Sequence, residues 1–472
     1  MSAILRSIML SSGILLCTTM FVVCSMTDRN TSHIVLITSP FYGHMIPMID
    51  LAKRLAVHHY VTYIVSVSKL DILKHRGFID ENETNDLNDS RLKIIGLYDG
   101  NNDDYEATNP DTINHIPLIL DRMHEPLLQL LFPVSTTSSS SRLIRYPIDL
   151  IISDLFIVSP VFEGSKRGIM TYFFVPNNLR AHMNYINLSS KKIQNDESGI
   201  DFDRSLHKAM SFVKGLVCNS IRELDRQSLQ DLRQKTVPGS DKPIFFIAPL
   251  MSEDHLDEKY RDASVKQWLD TQWKKTNGIP SVIYISFGSW AYLKPKQLEE
   301  IICALKQYPF IWSLKANLQA TISSSSIHKD KHILLQWAPQ RSILSHPAIR
   351  LFISHGGWNS LLEGMLAGKP ILVWPLFGDQ IINGLRLEVE FEMGRCIRYA
   401  DLSSGQRLVS SDELTQYLKE IFNQEMIYVR NAQYIRQIMM HAKEKSSRKD
   451  FEKIIKIVNN RIATQPTKHT DL

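Results

Sequence analysis

The chain is 472 residues long, room for two or three domains at about 150 residues each, which excludes a peptide hormone or a single small module. Hydrophobic residues make up 44%, charged residues 22% and aromatics 9%, with 20 Gly and 20 Pro, a balance that excludes disordered, collagen-like and polytopic membrane classes. Lys and Arg outnumber Asp and Glu by 54 to 49, a net charge of +5 with no dense basic stripe, so no nucleic-acid partner is expected. The five cysteines, Cys17, Cys24, Cys218, Cys303 and Cys396, are odd in number and widely spread, with no C-x-x-C pair and no His at zinc spacing. Neither a disulfide framework nor a metal centre is expected from them.

Residues 1–25 stand apart. Arg6 precedes a largely apolar stretch from Ile8 to Cys24, and Val23 and Ser25 suit the small-residue preference around a signal cleavage point. The segment reads as a signal, an anchor or an extension upstream of Met26. A cytoplasmic location is expected; the alternative is the endoplasmic reticulum or secretion, with membrane contact only if this segment is an anchor.

From His33 onward, strand-like runs alternate with amphipathic helical patterns, the mark of parallel α/β architecture. The first set opens with a strand at 33–38, turns through Ser39-Pro-Phe-Tyr-Gly-His44 and enters a helix at Met45, with Pro47 tolerated in its first turn. Strands follow at 61–67, 92–95, 148–152, 171–175, 215–218 and 244–247, separated by polar stretches at 80–90, 99–111 and 135–141 that read as surface loops. A charged, strand-poor stretch at 251–262 reads as a linker. The second set has strands at 281–287, 310–314, 332–335, 351–354 and 370–374, and the tail from Asp412 to about Ala463 is helical in character. The expected division is a domain over 26–250, a second over 263–440, and a helical tail over 441–472 that packs back on the first. A ligand is expected at the carboxyl ends of the strands, in the cleft between the halves.

The most informative stretch runs from Trp337 to Gln380. Within it, a strand ending at Ser354 leads into the small-residue turn His355-Gly-Gly-Trp-Asn-Ser360 and a helix over 361–367. Exposed backbone N–H groups and the positive end of a helix make such a turn a phosphate cradle. The plain alternative is a glycine turn in which Ser360 and Glu363 form an ordinary capping box. No P-loop, no G-x-G-x-x-G after a strand and no G-x-S-x-G is present, which weighs against kinase, dehydrogenase and lipase chemistry.

The combination of W-A-P-Q at 337–340, H-x-G-W-N-S at 355–360, Glu363, Trp374-Pro375 and Asp379-Gln380 closely resembles the nucleotide-sugar signature of the plant-type family-1 UDP-glycosyltransferases. Weaker likeness extends to Ser286-Phe-Gly-Ser289, Trp268-Leu-Asp270 and Gly43-His44-x-x-Pro47. The resemblance implies two facing Rossmann-like α/β domains of the GT-B type. It further implies that Trp337 stacks on uracil beside Ala338 and that Gln340 reaches the uridine. Glu363, an acceptor-only carboxylate, takes the ribose hydroxyls. His355, Gly357, Asn359, Ser360 and Ser289 line the diphosphate, and Trp358, Asp379 and Gln380 contact the sugar. Gln380 goes with glucose donors in the family. Two departures stand out: Gly357 occupies a position usually held by Cys, and Leu376-Phe-Gly-Asp379-Gln380 reads more like the animal branch.

Transfer to a hydroxyl requires removal of its proton, and a neutral His at a helix start suits that task. The resemblance assigns it to His44, with a carboxylate partner about one hundred residues later. Asp154, just past an apolar run where an unpaired carboxylate is costly, is the candidate, ahead of Asp149. Phe41, Tyr42 and Phe156 are candidate walls of the acceptor pocket.

The expected function is therefore inverting transfer of a hexose, glucose first, from a UDP-sugar to a hydroxyl of a small lipophilic acceptor. UDP-sugar serves as co-substrate, no cofactor or metal is involved, and the working unit is a monomer. The competing readings are a non-catalytic UDP-sugar binding protein and a UDP-sugar epimerase of similar architecture.

Overall fold

A computed structural model describes residues 31–80, 83, 90–99, 116–133, 144–145, 147–195, 200–235, 238–251, 263–288, 293–400 and 407–464. Two parallel sheets organise them. The first comprises β1 (His33–Ile37), β2 (Tyr60–Ser66), β3 (Leu92–Leu97), β4 (Leu150–Asp154), β5 (Met170–Val175), β6 (Leu216–Cys218) and β7 (Ile244–Phe246), in the order β3-β2-β1-β4-β5-β6-β7. The second comprises β8 (Val282–Ser286), β9 (Phe310–Ser313), β10 (His332–Leu335), β11 (Ile349–Ser354), β12 (Ile371–Val373) and β13 (Gly394–Cys396), in the order β10-β9-β8-β11-β12-β13.

A parallel sheet is covered on both faces, so its strands read as unbroken apolar runs. Every residue of β1 and of β8 is buried, as that rule requires of HIVLI and VIYIS. In each sheet the crossovers reverse direction once, between β1 and β4 and between β8 and β11, and the crevice above such a reversal is where ligands bind in doubly wound folds. Both halves therefore have the Rossmann-like α/β order expected from the sequence.

The chain crosses back at its end. Helix Glu425–Glu444 buries Ala432, Ile435, Met439 and Ala442 in a cluster with Tyr284, Phe352 and Val373 of the second sheet. The next helix, Ser446–Thr464, sends Ile454 and Val458 into the cluster around Ile34, Leu36 and Phe174 of the first. Asp450 anchors it there, accepting from Arg222 Nη2 at 2.6 Å and from the Phe246 backbone at 3.0 Å.

Four departures from the sequence reading have local causes. Strand β13 is only Gly-Arg-Cys, too short for a period to register. Val67 opens a helix, Val67–His75, instead of closing β2. The helix after β1 begins at Tyr42, so Pro47 lies inside it and not in its first turn. The helix after β11 begins at Trp358 with Gly357 as its N-cap, which puts Ser360 and Glu363 within the helix and rules out the capping box. Residues 1–25 and all of the expected linker except Met251 lie outside the described residues. Among the described residues, no helix is long and apolar enough to cross a membrane.

Candidate active site

The first switch point carries two of the expected residues. Asp154 is the last residue of β4 and is fully buried; His44 lies in the first turns of the helix that follows β1. Their side chains meet, Nδ1 to Oδ2, at 2.7 Å. Asp154 also accepts from Ser39 Oγ at 2.9 Å and from the Phe156 backbone at 3.0 Å, with a longer contact to the Ser39 backbone at 3.4 Å. A carboxylate ringed by donors dictates the imidazole tautomer: Nδ1 carries the proton and Nε2 presents a lone pair. Phe156 stacks on the His44 ring at 5.3 Å and Phe41 lies at the same separation, with 6.0 Å between the two phenyl rings, so the three rings form one mutually packed cluster. Its side chain remains 18% exposed, toward the cleft.

The second switch point carries the glycine turn. His355 follows β11, and its ring lies between two glycines: a Cβ on Gly288 would come within 2.9 Å of it, and one on Gly357 within 2.4 Å of its Nε2. Burial pushes the imidazole down to about 4, with the Ser286 backbone offsetting this only in part, so the ring is neutral at physiological pH. Its Nδ1 is buried without a hydrogen-bond partner among the described residues. A neutral imidazole beside the start of helix Trp358–Leu366, seated against two glycines, fits an anionic ligand at the helix start.

One turn along that helix, Glu363 accepts from Gln340 Nε2 at 2.7 Å, and the same amide reaches Ser360 Oγ at 3.2 Å. Tyr284 donates to Gln340 Oε1 at 3.1 Å, which fixes the orientation of the amide. Trp337 presents its ring 41% exposed at the end of β10, whereas the Ala338 methyl is buried in the core.

Comparison with known proteins places this geometry. Residues 260–444 match the family model for UDP-glucoronosyl and UDP-glucosyl transferase. UDP-glycosyltransferase 86A1 of Arabidopsis thaliana is 25% identical over 92% of this chain and 96% of its own length. Anthocyanidin 3-O-glucosyltransferase of Solanum melongena is 37% identical over 40% of this chain and 42% of its own. The crystal structure of Medicago truncatula UGT71G1 complexed with UDP-glucose superposes with a TM-score of 0.70 at 22% identity, covering 92% of this chain and 99% of that one.

The chain resembles the plant family-1 UDP-glycosyltransferases.

Other expected residues are engaged in or beside the seam between the two halves. Pro47 has no N–H, so the Gly43 carbonyl four residues earlier lacks its helical donor; Asn359 Nδ2 supplies one from the other half at 3.1 Å. Asn359 Oδ1 accepts from Asn219 Nδ2 at 3.2 Å, so both ends of its side chain face the first half. Trp358 is buried, and its indole N–H donates to the Asn219 carbonyl at 2.6 Å. Gln380 is buried too, its Oε1 accepting from the Leu376 and Phe377 backbones at 2.7 and 3.0 Å. Asp379 sits near His44. Burial raises its carboxyl above the usual range, while the amides of Asn383 and Asn177 and the closeness of His44 pull it back.

Tyr42 lies away from the Phe41–Phe156 wall. The Arg76 guanidinium is held between its ring, at 4.6 Å, and the ring of Trp337, at 4.1 Å, bridging the two halves. Ser289 and most of the loop 99–111 lie outside the described residues. Sequence reasoning missed Ser39, which shares the Asp154 carboxylate, and also Tyr185 and Phe202, whose rings lie 6.0 and 6.1 Å from Phe156. It also missed the buried pair Arg386–Asp225, at 2.6 Å across the seam.

Proposed function

We propose that this enzyme transfers a hexose, glucose first, from a UDP-sugar to a hydroxyl of a small lipophilic acceptor by a single inverting displacement. The observation that carries the reading is the 2.7 Å contact between His44 Nδ1 and the enclosed carboxylate of Asp154. With Nδ1 donating to Asp154, Nε2 accepts the acceptor's hydroxyl proton as its oxygen attacks the anomeric carbon from the face opposite the leaving group. The bond from that carbon to the diphosphate oxygen breaks, and UDP carries the electron pair away. Asp154 orients the imidazole and stabilises the imidazolium that forms.

His355 and the N–H groups at the start of helix Trp358–Leu366 receive the charge developing on the diphosphate. Trp337 stacks on the base, Gln340 and Glu363 hold the uridine, and Asp379 grips sugar hydroxyls. Phe41, Phe156, Tyr185 and Phe202 form an aromatic wall beside the base, which suits a planar, apolar acceptor. A UDP-sugar donor and a small acceptor are in keeping with similar proteins, among them Arabidopsis thaliana UGT89C1, whose structure is complexed with quercetin.

The test is a donor-by-acceptor screen: UDP-glucose, UDP-galactose, UDP-xylose and UDP-glucuronate against a panel of phenols and alcohols, read by mass. A hexosyl adduct with inverted anomeric configuration is the expected product. UDP binding with no transfer from any donor would instead favour the binding-protein reading.

A further inference from the structure

We propose that Asn383 is a positioning residue for transfer, holding the sugar-facing carboxylate of Asp379 and the phosphate turn at Gly356 in register with the first half through Asn178. The proposal rests on the reading of Asp379 as a sugar ligand.

The hydrogen bonds around Asn383 admit one arrangement. Asn178 sits in the turn after β5, just before helix Leu179–Asn195, and its Oδ1 accepts from the Ala181 backbone at 3.0 Å; a backbone N–H can only donate. The Asn178 amide nitrogen is therefore the atom that faces Asn383, at 2.7 Å, and Asn383 Oδ1 is its acceptor. That leaves Asn383 Nδ2 with two protons, and each has a target: Asp379 Oδ2 at 2.9 Å and the Gly356 carbonyl at 3.0 Å. Both asparagines are buried, Asn178 completely and Asn383 to within 1%. A satisfied buried amide of this kind cannot rotate without breaking several bonds at once.

Neither end of this linkage has slack. Asp379 is the N-cap residue of helix Gln380–Val389 and Asn383 lies four positions on, so the two share one helix face. Gly356 adopts φ of +84°, and a Cβ there would meet Val373 Cγ1 at 2.6 Å. The adjacent Asn177, in the same first-half turn, helps to hold the Asp379 carboxyl down, so this turn acts on the carboxylate both through Asn177 and, by way of Asn178, through Asn383. The sugar ligand and the diphosphate turn are thereby set together, and set against the half that carries His44.

The linkage makes a prediction about pH. The groups facing Asp379 are Asn383 on its own helix, Asn177 from the first half and His44 from helix Tyr42–Ala56. Donation from Asn383 favours the ionised carboxylate, the form that accepts from sugar hydroxyls. Removing it raises the Asp379 pKa, so activity is lost at a higher pH on the acid side.

The experiment compares wild type with Asn383→Leu and Asn178→Ala, using UDP-glucose and a phenol that the wild type glucosylates. Folding is checked by thermal melting and UDP affinity by calorimetry. For Asn383→Leu we expect kcat/KM for UDP-glucose to fall at least about tenfold and the acid limb of its pH profile to move up by about one unit. UDP affinity should change less than about threefold. Asn178→Ala should shift the limb the same way by less, and it carries the test if Asn383→Leu does not fold. A folded variant whose acid limb and kcat/KM match wild type overturns the proposal. A wild type that transfers nothing from any donor overturns the functional reading, and this proposal falls with it.

Discussion

On the first-half side of the cleft, the Asp154 carboxylate is enclosed by His44, Ser39 and the Phe156 backbone, and the imidazole packs against the paired rings of Phe41 and Phe156. On the second-half side, His355 lies between Gly288 and Gly357 with its Nδ1 unpartnered among the described residues. One histidine is fixed by direct bonds and the other is admitted by empty space. The difference follows from their proposed tasks. A base must present one defined lone pair at one angle, which calls for an orienting partner. A ligand for a diphosphate needs its ring seated beside the phosphate turn, and two glycines without side chains supply the room for it.

The sharpest way to break this contrast is at the fixed histidine. His44→Ala should reduce transfer by about 10² to 10⁴ with UDP affinity unchanged, and Asp154→Asn should come close to it by losing the tautomer. Single-turnover kinetics alongside calorimetry would check both. Full transfer by either variant would remove the pair from the mechanism.

A smaller effect is expected at the stacking face. Trp337→Ala should weaken UDP binding about tenfold, while the rate at saturating donor stays within a few-fold of wild type. If the saturated rate collapses instead, the Arg76 bridge between Tyr42 and Trp337 carries more of the alignment than base stacking does.

The smallest effect tests the empty space. Gly357→Cys puts a Cβ where the His355 ring now lies, so the ring must turn away from it. UDP affinity is expected to drop about threefold, with little change in thermal stability because the ring is the end of a movable side chain. Unchanged affinity would mean that the placement of His355 between the glycines does not matter for the diphosphate.

Much of the architecture was legible because parallel strands announce themselves as unbroken apolar runs, and the seven runs of the first half correspond to β1 through β7. Strand β13 escaped because three residues, one of them glycine, carry no such signal. His44 and Asp154 were singled out through the family resemblance, and they meet because strand ends converge at a switch point. The seam was not. Asn178, Asn219, Asn359 and Asn383 owe their partners to how two domains face each other, and a single buried asparagine leaves no pattern along the chain. For Asn359 and Trp358 the motif pointed to the turn after β11, and the structure shows their side chains engaged with the first half. Pro47 held an overlooked clue: a proline inside a helix frees a carbonyl four residues back, and here that carbonyl belongs to Gly43, beside His44.

The return of helix Ser446–Thr464 to the first sheet has a mechanical consequence. The polypeptide passes between the halves twice, once after Met251 and once at Lys445, so they are tethered at two points instead of one. The second tie is a packed one: Asp450 binds Arg222 and the Phe246 backbone while Ile454 and Val458 are buried, so the half that carries Asp379 is fastened to the half that carries His44 by core contacts as well as by the chain.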